Sequence, residues 1–376
     1  MDKTWNIVEY FSDVETTKEH NGYFCSVGEA LTVVILGSLC GLCNVSQIHQ
    51  WAVSPKVREF LGEYFNITRV PCYYWMLCLL KLIEPKSLNR CFMNWSQSLM
   101  ADNEQELTIS FDGKTIRSTV KMTKYNSAMN IVSAQVSQLG ITLAQKTVAD
   151  GSNEIPAMRE LLSLLEIKGC MVVADALHCQ KETAAAIINK NADYLLVVKD
   201  NQETLKQDIE DYVQDDDLRK AMDATSTVEK NSGRIEYRQA FVTHNIAWLG
   251  GQDQWPGLAC IGAINRQITT AKGTSSEWHY YISSRKLTAS ELLKHARLEW
   301  SVEVMHWLLD IHFDEDSCRI QDENIQQVLN MVRKIALNCV RVYKQATKSI
   351  QPLSKIMFSC LLNSLCLLTI LNSVEN

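Results

Sequence analysis

The chain has 376 residues, of which 46% are hydrophobic and 21% charged; this is the composition of a globular protein and excludes a disordered, collagen-like or coiled-coil chain. Its length predicts two or three domains. The formal net charge of −6 argues against a sequence-independent nucleic-acid coat protein, which needs a basic surface. It does not exclude a DNA enzyme, because net charge hides local patches and counts catalytic carboxylates as negative.

Cysteine usage and apolar stretches narrow the class further. The thirteen cysteines are scattered and odd in number, and the N-terminal sequence MDKTWNIVEY is polar and unlike a signal peptide. We therefore expect reduced thiols in a cytoplasm. Two apolar stretches, residues 30–45 and 360–371, are shorter than the roughly 18 residues of a membrane span. Both are predicted to be buried core helices, and no membrane contact is expected.

The pattern along the chain predicts four regions. Residues 1–100 have helical spacing and many aromatic residues, which predicts an all-helical N-terminal domain. Residues 101–200 follow the order three strands, helix, strand, helix and strand, which is typical of an α/β domain. Residues 201–286 carry short β-like stretches after a helix and predict a β-rich insertion. Residues 287–376 predict a long helix followed by further C-terminal helices.

Local signals define several elements within these regions. Alternation of apolar and polar residues up to Asp112 predicts a strand that stops at Gly113. The stretch 138–140, which ends in glycine, predicts a hairpin turn between two strands. A capping box from Thr288 to Glu291 predicts the start of the long helix.

Charge is distributed unevenly along the chain. The stretch from Arg333 to Lys355 contains six Lys or Arg residues and no Asp or Glu. This pattern predicts either a solvated helix face or a surface that contacts phosphates, and the sequence leaves both open.

Two acids, Asp112 and Asp175, stand where predicted strands end. Sites in α/β proteins are usually built at strand ends. A carboxylate that closes an apolar strand needs a partner, because burying an unpaired charge is costly. The partner is either a lysine or helix N-terminus, or a divalent metal shared with another acid. Mg²⁺ takes such carboxylate oxygens together with waters and substrate phosphates.

A third acid would have to come from a distant part of the chain. The long helix offers Glu303, with Glu299, His306 and Asp310 on the same face by helical spacing. Several acids on one face are unfavourable unless they are solvated or paired with cations. Because nearby tryptophans imply partial burial, the pattern favours a functional role for this face.

A set of motifs in a fixed order makes the chain resemble an insertion-sequence transposase of the H-repeat-associated type, in the DDE superfamily. The resemblance runs from about Thr108 to Asn338 and extends more loosely into the N-terminal region. The matching motifs are DGKTIR at 112–117, SNEI at 152–155, DALHCQ at 175–180, KDNQ at 199–202, GRIE at 233–236, WPGL at 255–258, YISS at 281–284, R-x-x-W-x-x-E at 297–303, HW-x-x-D at 306–310 and F-x-ED-x-x-R at 313–319.

The resemblance implies a fold, a metal site and a reaction. The fold is an RNase H-like catalytic core interrupted by the β-rich insertion, and Asp112, Asp175 and Glu303 form its catalytic, metal-binding triad. The cofactor is Mg²⁺, with Mn²⁺ able to substitute. In two-metal phosphoryl transfer the ions, about 4 Å apart, activate a water and stabilise the leaving 3′ oxygen at the element end. The freed 3′-OH then attacks target DNA.

The resemblance also implies partners. The substrates are double-stranded DNA with the element's terminal inverted repeats and a target duplex, and a homodimer is expected because two ends must be held together. A bacterial cytoplasm with nucleoid association is the expected location. The candidates for phosphate contacts are Lys114, Arg117, Lys199, Arg234 and Arg297.

Three residues depart from the family's pattern and keep other functions open. Ser118 stands where the family usually has Gly, Glu299 where it usually has His, and Val304 where it usually has Asn. One alternative is a catalytically silent, transposase-derived protein that binds element ends. Another is an RNase H-like nuclease that cuts without joining; it would share the triad but give no strand-transfer product.

Overall fold

The computed structural model describes residues 6–18, 24–100, 106–119, 128–231 and 233–374. Its contacts divide the chain into two compact units. The first unit comprises residues 1–104, 113–154 and 303–376, and the second comprises 105–112 and 155–302. The four regions given above stay predictions about domains.

The first unit is mainly helical. Its helices are α1 (Asn6–Ser12), α2 (Val27–Leu39), α3 (Val45–Ala52), α4 (Pro55–Phe65), α5 (Tyr73–Leu82), α6 (Pro85–Ser98), most of α12 (Ser301–Phe313), α13 (Glu323–Ala346), α14 (Leu353–Leu362) and α15 (Leu365–Ser373). α13 packs against α2, α5, α6 and α15. Residues on nearly all sides of α13 are buried, so this helix lies at the centre of the unit.

The apolar stretches predicted as core helices have different outcomes. α2 begins with a capping box between Ser26 and Glu29 and is buried along almost its whole length, as predicted. The 360–371 stretch is broken between α14 and α15, where Leu362 and Leu365 are more than half exposed. In the described part of the chain, no helix is long and apolar enough to cross a membrane.

A β-hairpin joins the helices of the first unit. Strands β2 (Met129–Val136) and β3 (Ile141–Thr147) pair antiparallel. The predicted turn is confirmed, because Gly140 has a left-handed φ of 66° and its N–H donates to Val136 O at 2.7 Å. β3 also packs against α6 and α13.

The second unit is built on a mixed sheet, which confirms the predicted α/β class. Its strands are β1 (Thr108–Ile116, which continues into the first unit), β4 (Met171–Ala174), β5 (Asp193–Val198), β6 (Asp223–Asn231), β7 (Arg234–Thr243), β8 (Cys260–Thr270) and β9 (Gly273–Ser283). Their order in the sheet is β1-β4-β5-β9-β8-β7-β6. The first three are parallel, and the strands from β9 onward are antiparallel.

Helices accompany this sheet. They are α7 (Glu154–Leu164), α8 (Lys181–Asn189), α9 (Glu203–Gln214), α10 (Asp216–Lys220) and α11 (Ala289–Glu299). α11 packs on β4, β6, β7 and β8. Its capping box at Thr288 and Glu291 is present as predicted.

Candidate functional site

Asp112 and Asp175 occupy adjacent positions on the neighbouring parallel strands β1 and β4. Asp175 follows the last residue of β4, whereas Asp112 lies within β1; the predicted strand end at Gly113 is therefore wrong, because β1 continues to Ile116. Phe111 pairs with Ala174 in the ladder between β1 and β4, and each aspartate is the next residue. Four buried residues precede the acid in each strand. The strands are thus anchored in the core up to the point where the carboxylates emerge. Asp112 is half-buried, and the Asp175 side chain is 52% exposed.

The loop after β4 brings His178 near Asp175. The backbone at Asp175 is still extended and leads into a short helical turn, Ala176–His178. The Nε2 atom of His178 lies 3.9 Å from Asp175 Oδ1. Burial lowers the pKa of His178 below its ordinary value, and the charge of Asp175 only partly opposes this. His178 is therefore expected to be mostly neutral near pH 7.

The loop after β5 is fastened to this loop by two side-chain amides. Asn201 Nδ2 donates to Ala176 O at 2.7 Å, and Gln202 Nε2 donates to Cys179 O at 2.9 Å. The motifs at 175–180 and 199–202 are thus hydrogen-bonded to each other at the carboxyl ends of β4 and β5. Sequence reasoning gave Asn201 and Gln202 no role; their place in a motif just after a strand was the available signal.

The carboxylate of Glu154 closely approaches Gly113, the residue after Asp112. A Cβ at this position would overlap the carboxylate of Glu154, the first residue of α7. Glu154 was predicted only as part of a motif. The glycine of the DGKTIR motif therefore leaves space for a further acid beside β1.

Glu303 lies in the first turn of α12 and is exposed. A carboxylate is favourable in this position because the helix N-terminus carries a partial positive charge. Glu303 belongs to the first unit, whereas Asp112 and Asp175 belong to the second. Its membership of a triad with them stays a prediction.

The single long helix predicted from Thr288 is wrong. α11 ends at Glu299, and the N–H of Trp300 donates to Leu298 O as a cap. α12 then begins at Ser301; serine favours helix ends because its hydroxyl competes for backbone hydrogen bonds. Glu299 and Glu303 are therefore on different helices and do not share one helical face. His306 also differs from Glu303 in exposure, since it is only 9% exposed.

Lys114, predicted as a phosphate contact, has carboxylate partners within the first unit. Its Nζ lies 2.6 Å from Asp310 Oδ1 and 2.7 Å from Glu315 Oε2, and its side chain is 11% exposed. A DNA phosphate would have to displace these partners. Arg117 is 85% exposed and lies 3.8 Å from Asp316, so its guanidinium is accessible.

The other candidate cations lie on the second unit. Lys199 is exposed directly after β5. Arg234 Nη2 lies 3.6 Å from Glu236 Oε2, and Arg297 pairs with Glu229. Both arginine side chains remain almost half exposed. The hydrogen bond from Arg297 is the largest effect that holds the pKa of Glu229 below its ordinary value.

The basic stretch from Arg333 is only partly a surface. Arg333 and Lys334 are buried, and Arg341 donates to Gly140 O in the hairpin turn. Lys348 and Lys355 are exposed. The stretch as a whole is therefore neither a solvated helix face nor a phosphate-contacting surface, because three of its six cations are buried or bonded within the first unit.

Comparison with known proteins identifies relatives. The family model described as "Transposase DDE domain" matches residues 104–339. "H repeat-associated putative transposase YhhI" of Escherichia coli (strain K12) is 31% identical over 288 residues, which cover 74% of this chain and 76% of that protein. "Putative transposase YncI" of Escherichia coli O157:H7 is 29% identical over 345 residues, which cover 89% of this chain and 87% of that protein. These matches confirm the family resemblance found in the sequence.

One solved structure is also similar in backbone. It is the cryo-EM structure of the piggyBac transposase synaptic complex with hairpin DNA, with a TM-score of 0.48 at 9% identity, covering 98% of this chain and 79% of that chain.

Proposed function

Since the chain belongs to the transposase DDE domain family, we propose that it is a DNA transposase that cleaves at insertion-sequence ends and joins them to target DNA. The reaction would be metal-dependent phosphoryl transfer on an RNase H-like core. The observation that carries the proposal is the register of β1 and β4, which gives Asp112 and Asp175 adjacent positions on neighbouring parallel strands.

The donor chemistry of this pair fits a divalent cation. Adjacent carboxylates supply the oxygen ligands that Mg²⁺ prefers, with room left for waters and phosphate oxygens. Within the described ranges, no group of three or more His, Cys, Asp or Glu side chains is arranged to hold a metal ion. Glu303 as the third ligand is thus part of the proposal. When bound, Mg²⁺ or Mn²⁺ would supply Lewis-acid activation of water and of the scissile phosphate.

The chain's own residues would prepare this site for DNA. Asp175 is open to solvent, so a phosphate can approach it. Asn201 and Gln202 hold the loop behind Asp175 in place through their bonds to its backbone. Lys199, Arg297 and Arg234 would hold the DNA backbone, because exposed cations position phosphates without reading sequence.

The partners follow from the reaction. The DNA would be a duplex with the element's terminal inverted repeats, and then a target duplex. A homodimer would hold two ends together, and the work would take place at the nucleoid in a bacterial cytoplasm.

The test is a strand-transfer assay. Purified protein, a labelled duplex with the gene's flanking inverted repeats, and Mg²⁺ or Mn²⁺ would be incubated with a target plasmid. Asp175→Asn keeps the side-chain size but removes the charge, so we expect cleavage and joining to fall at least about a hundredfold, since the carboxylate would hold the catalytic ion. Asp253→Asn, at an exposed aspartate of the same unit, is the matched control and should leave both unchanged.

Other outcomes identify the alternatives. Cleavage without joining would favour an RNase H-like nuclease. Specific end binding with no metal-dependent product, in wild type and variant alike, would favour the silent end-binding protein. Titration of Mn²⁺ followed by electron paramagnetic resonance tests the ligand set separately, because Asp112→Asn, Asp175→Asn and Glu303→Gln should each weaken Mn²⁺ binding.

A further inference from the structure

Lys114 joins the strand that carries Asp112 to the helix that carries Glu303. It follows Asp112 by two residues on β1, and side chains two apart on a strand project to the same side. Its partner Asp310 follows Glu303 by seven residues on α12, which is two helical turns along the same side of the helix. Lys114 is thus two residues from one proposed catalytic acid, Asp112, and its partner Asp310 lies on the same helix as another, Glu303.

The bonds of Lys114 continue into the core of the first unit. Glu315, its second carboxylate partner, is 1% exposed. The other oxygen of Glu315 accepts a hydrogen bond from Asn330 Nδ2 on α13 at 2.6 Å. β1, α12, the turn after it and α13 therefore share one polar network, which we name the Lys114 network (Lys114, Asp310, Glu315 and Asn330).

The charges in this network make its geometry specific. The Lys114 side chain is only 11% exposed, and its Nζ lies 2.6 Å from Asp310 and 2.7 Å from Glu315, whose side chain is 1% exposed. Moving the ammonium away would leave the buried carboxylate of Glu315 without its cation, which is strongly unfavourable. The network thus allows few positions of α12 along β1.

We propose that Lys114 is a positioning residue for the transposase reaction, which holds α12, the helix that carries Glu303, in place within the first unit through Asp310 and Glu315. The proposal rests on the proposed function and deepens it, because it gives Lys114 a role through other residues in place of a direct phosphate contact.

A second buried lysine provides the matched control. Lys334 is 1% exposed, and its Nζ donates to Ser133 Oγ at 2.9 Å and Gln145 Oε1 at 2.7 Å, both on the β2–β3 hairpin. It supports the same unit, and among the residues that the structure describes its hydrogen bonds go to the hairpin and not to α12. Lys334→Met should therefore disturb the first unit without releasing the bond between Lys114 and Asp310.

The experiment compares Lys114→Met with Lys334→Met in three measurements: the single-turnover cleavage rate at saturating end DNA, the affinity for end DNA, and hydrogen exchange of the α12 amides. We expect Lys114→Met to slow cleavage at least about tenfold, to leave DNA affinity within about twofold, and to speed exchange in α12. Lys334→Met should leave cleavage within about threefold. Lys114→Arg keeps a positive charge between the two carboxylates and should recover most of the rate lost in Lys114→Met.

Three results would overturn the proposal. Loss of rate in proportion to loss of stability in both lysine variants would mean a purely structural role. Weaker DNA binding and a shallower salt dependence, with the rate at saturation unchanged, would mean a direct phosphate contact. If the wild type gives no metal-dependent product, the proposed function fails. In that case the proposal for Lys114 is tested by hydrogen exchange alone. If the α12 amides exchange at the same rate in Lys114→Met as in the wild type, Lys114 does not hold the helix.

Discussion

The stability of the first unit should depend on pH through Lys334. Burial is the main cause that lowers the pKa of this lysine from 10.5 to about 8; the nearby Glu315 opposes the shift and Lys114 adds to it. Its hydrogen-bond partners, Ser133 and Gln145, are neutral. Nothing bonded to the ammonium therefore compensates its charge, and replacement by methionine removes a charged group from the interior while keeping a similar length.

The magnitude follows from the two pKa values. Between about pH 8 and 10.5 the folded chain has released this proton while the unfolded chain still binds it. Stability rises with pH wherever the unfolded state binds more protons, by about 1.4 kcal/mol per pH unit for one proton. Lys334 should thus add about 2 kcal/mol to the free energy of unfolding between about pH 7.5 and 9.5. Below about pH 8 both states are protonated, and the contribution is constant.

The assay is urea unfolding of the wild type and of Lys334→Met across this pH range. The quantity of interest is the difference between the two proteins, because other groups, such as the buried thiol of Cys339 with its raised pKa, cancel in it. The wild type should gain stability over the variant as pH rises. Lys355→Met, at an exposed lysine, should show no such trend. A difference that is flat or falls with pH would refute the reasoning.

Two further predictions concern packing and thiols. The buried amide of Asn338 accepts a hydrogen bond from Thr142 N–H at 2.9 Å and donates one to Thr142 O at 2.8 Å. Asn338→Leu would leave these two buried backbone groups without a partner, so it should lower the free energy of unfolding by about 2–5 kcal/mol. A loss below about 1 kcal/mol in denaturant unfolding would contradict this. Cys72 is exposed, so Cys72→Ser should remove the fastest thiol-labelling phase of the native protein. Persistence of that phase would show that another thiol becomes accessible first.

The pairing of Asp112 with Asp175 could be predicted from the sequence in large part. Alternation and the apolar residues before each acid are local signals that predict strands, but the predicted end of β1 at Gly113 was wrong, because the strand continues to Ile116. The burial of Lys114 could not be predicted, because its partners Asp310 and Glu315 are 196 and 201 residues away in the chain. A lysine beside an acid in a motif is typical of a phosphate contact until such distant partners are known.

The break between α11 and α12 was missed for a related reason. Trp300 and Ser301 fit the interior of a helix by hydrophobic pattern, so the local signal favoured one long element. The hydrogen bonds of Lys334 and Arg341 could not be predicted either. A run of cations predicts a surface, and the sequence does not show that the β2–β3 hairpin accepts hydrogen bonds from these two side chains.

The central place of α13 has a consequence for biosynthesis. α2, α5 and α6 are translated early, but the helix that covers them is completed only at Ala346. Contacts this distant in sequence slow folding, and apolar surface left uncovered meanwhile favours aggregation. The nascent N-terminal helices therefore need protection for most of the time that the ribosome spends on this chain, and premature termination before α13 would release a product that cannot bury its own core.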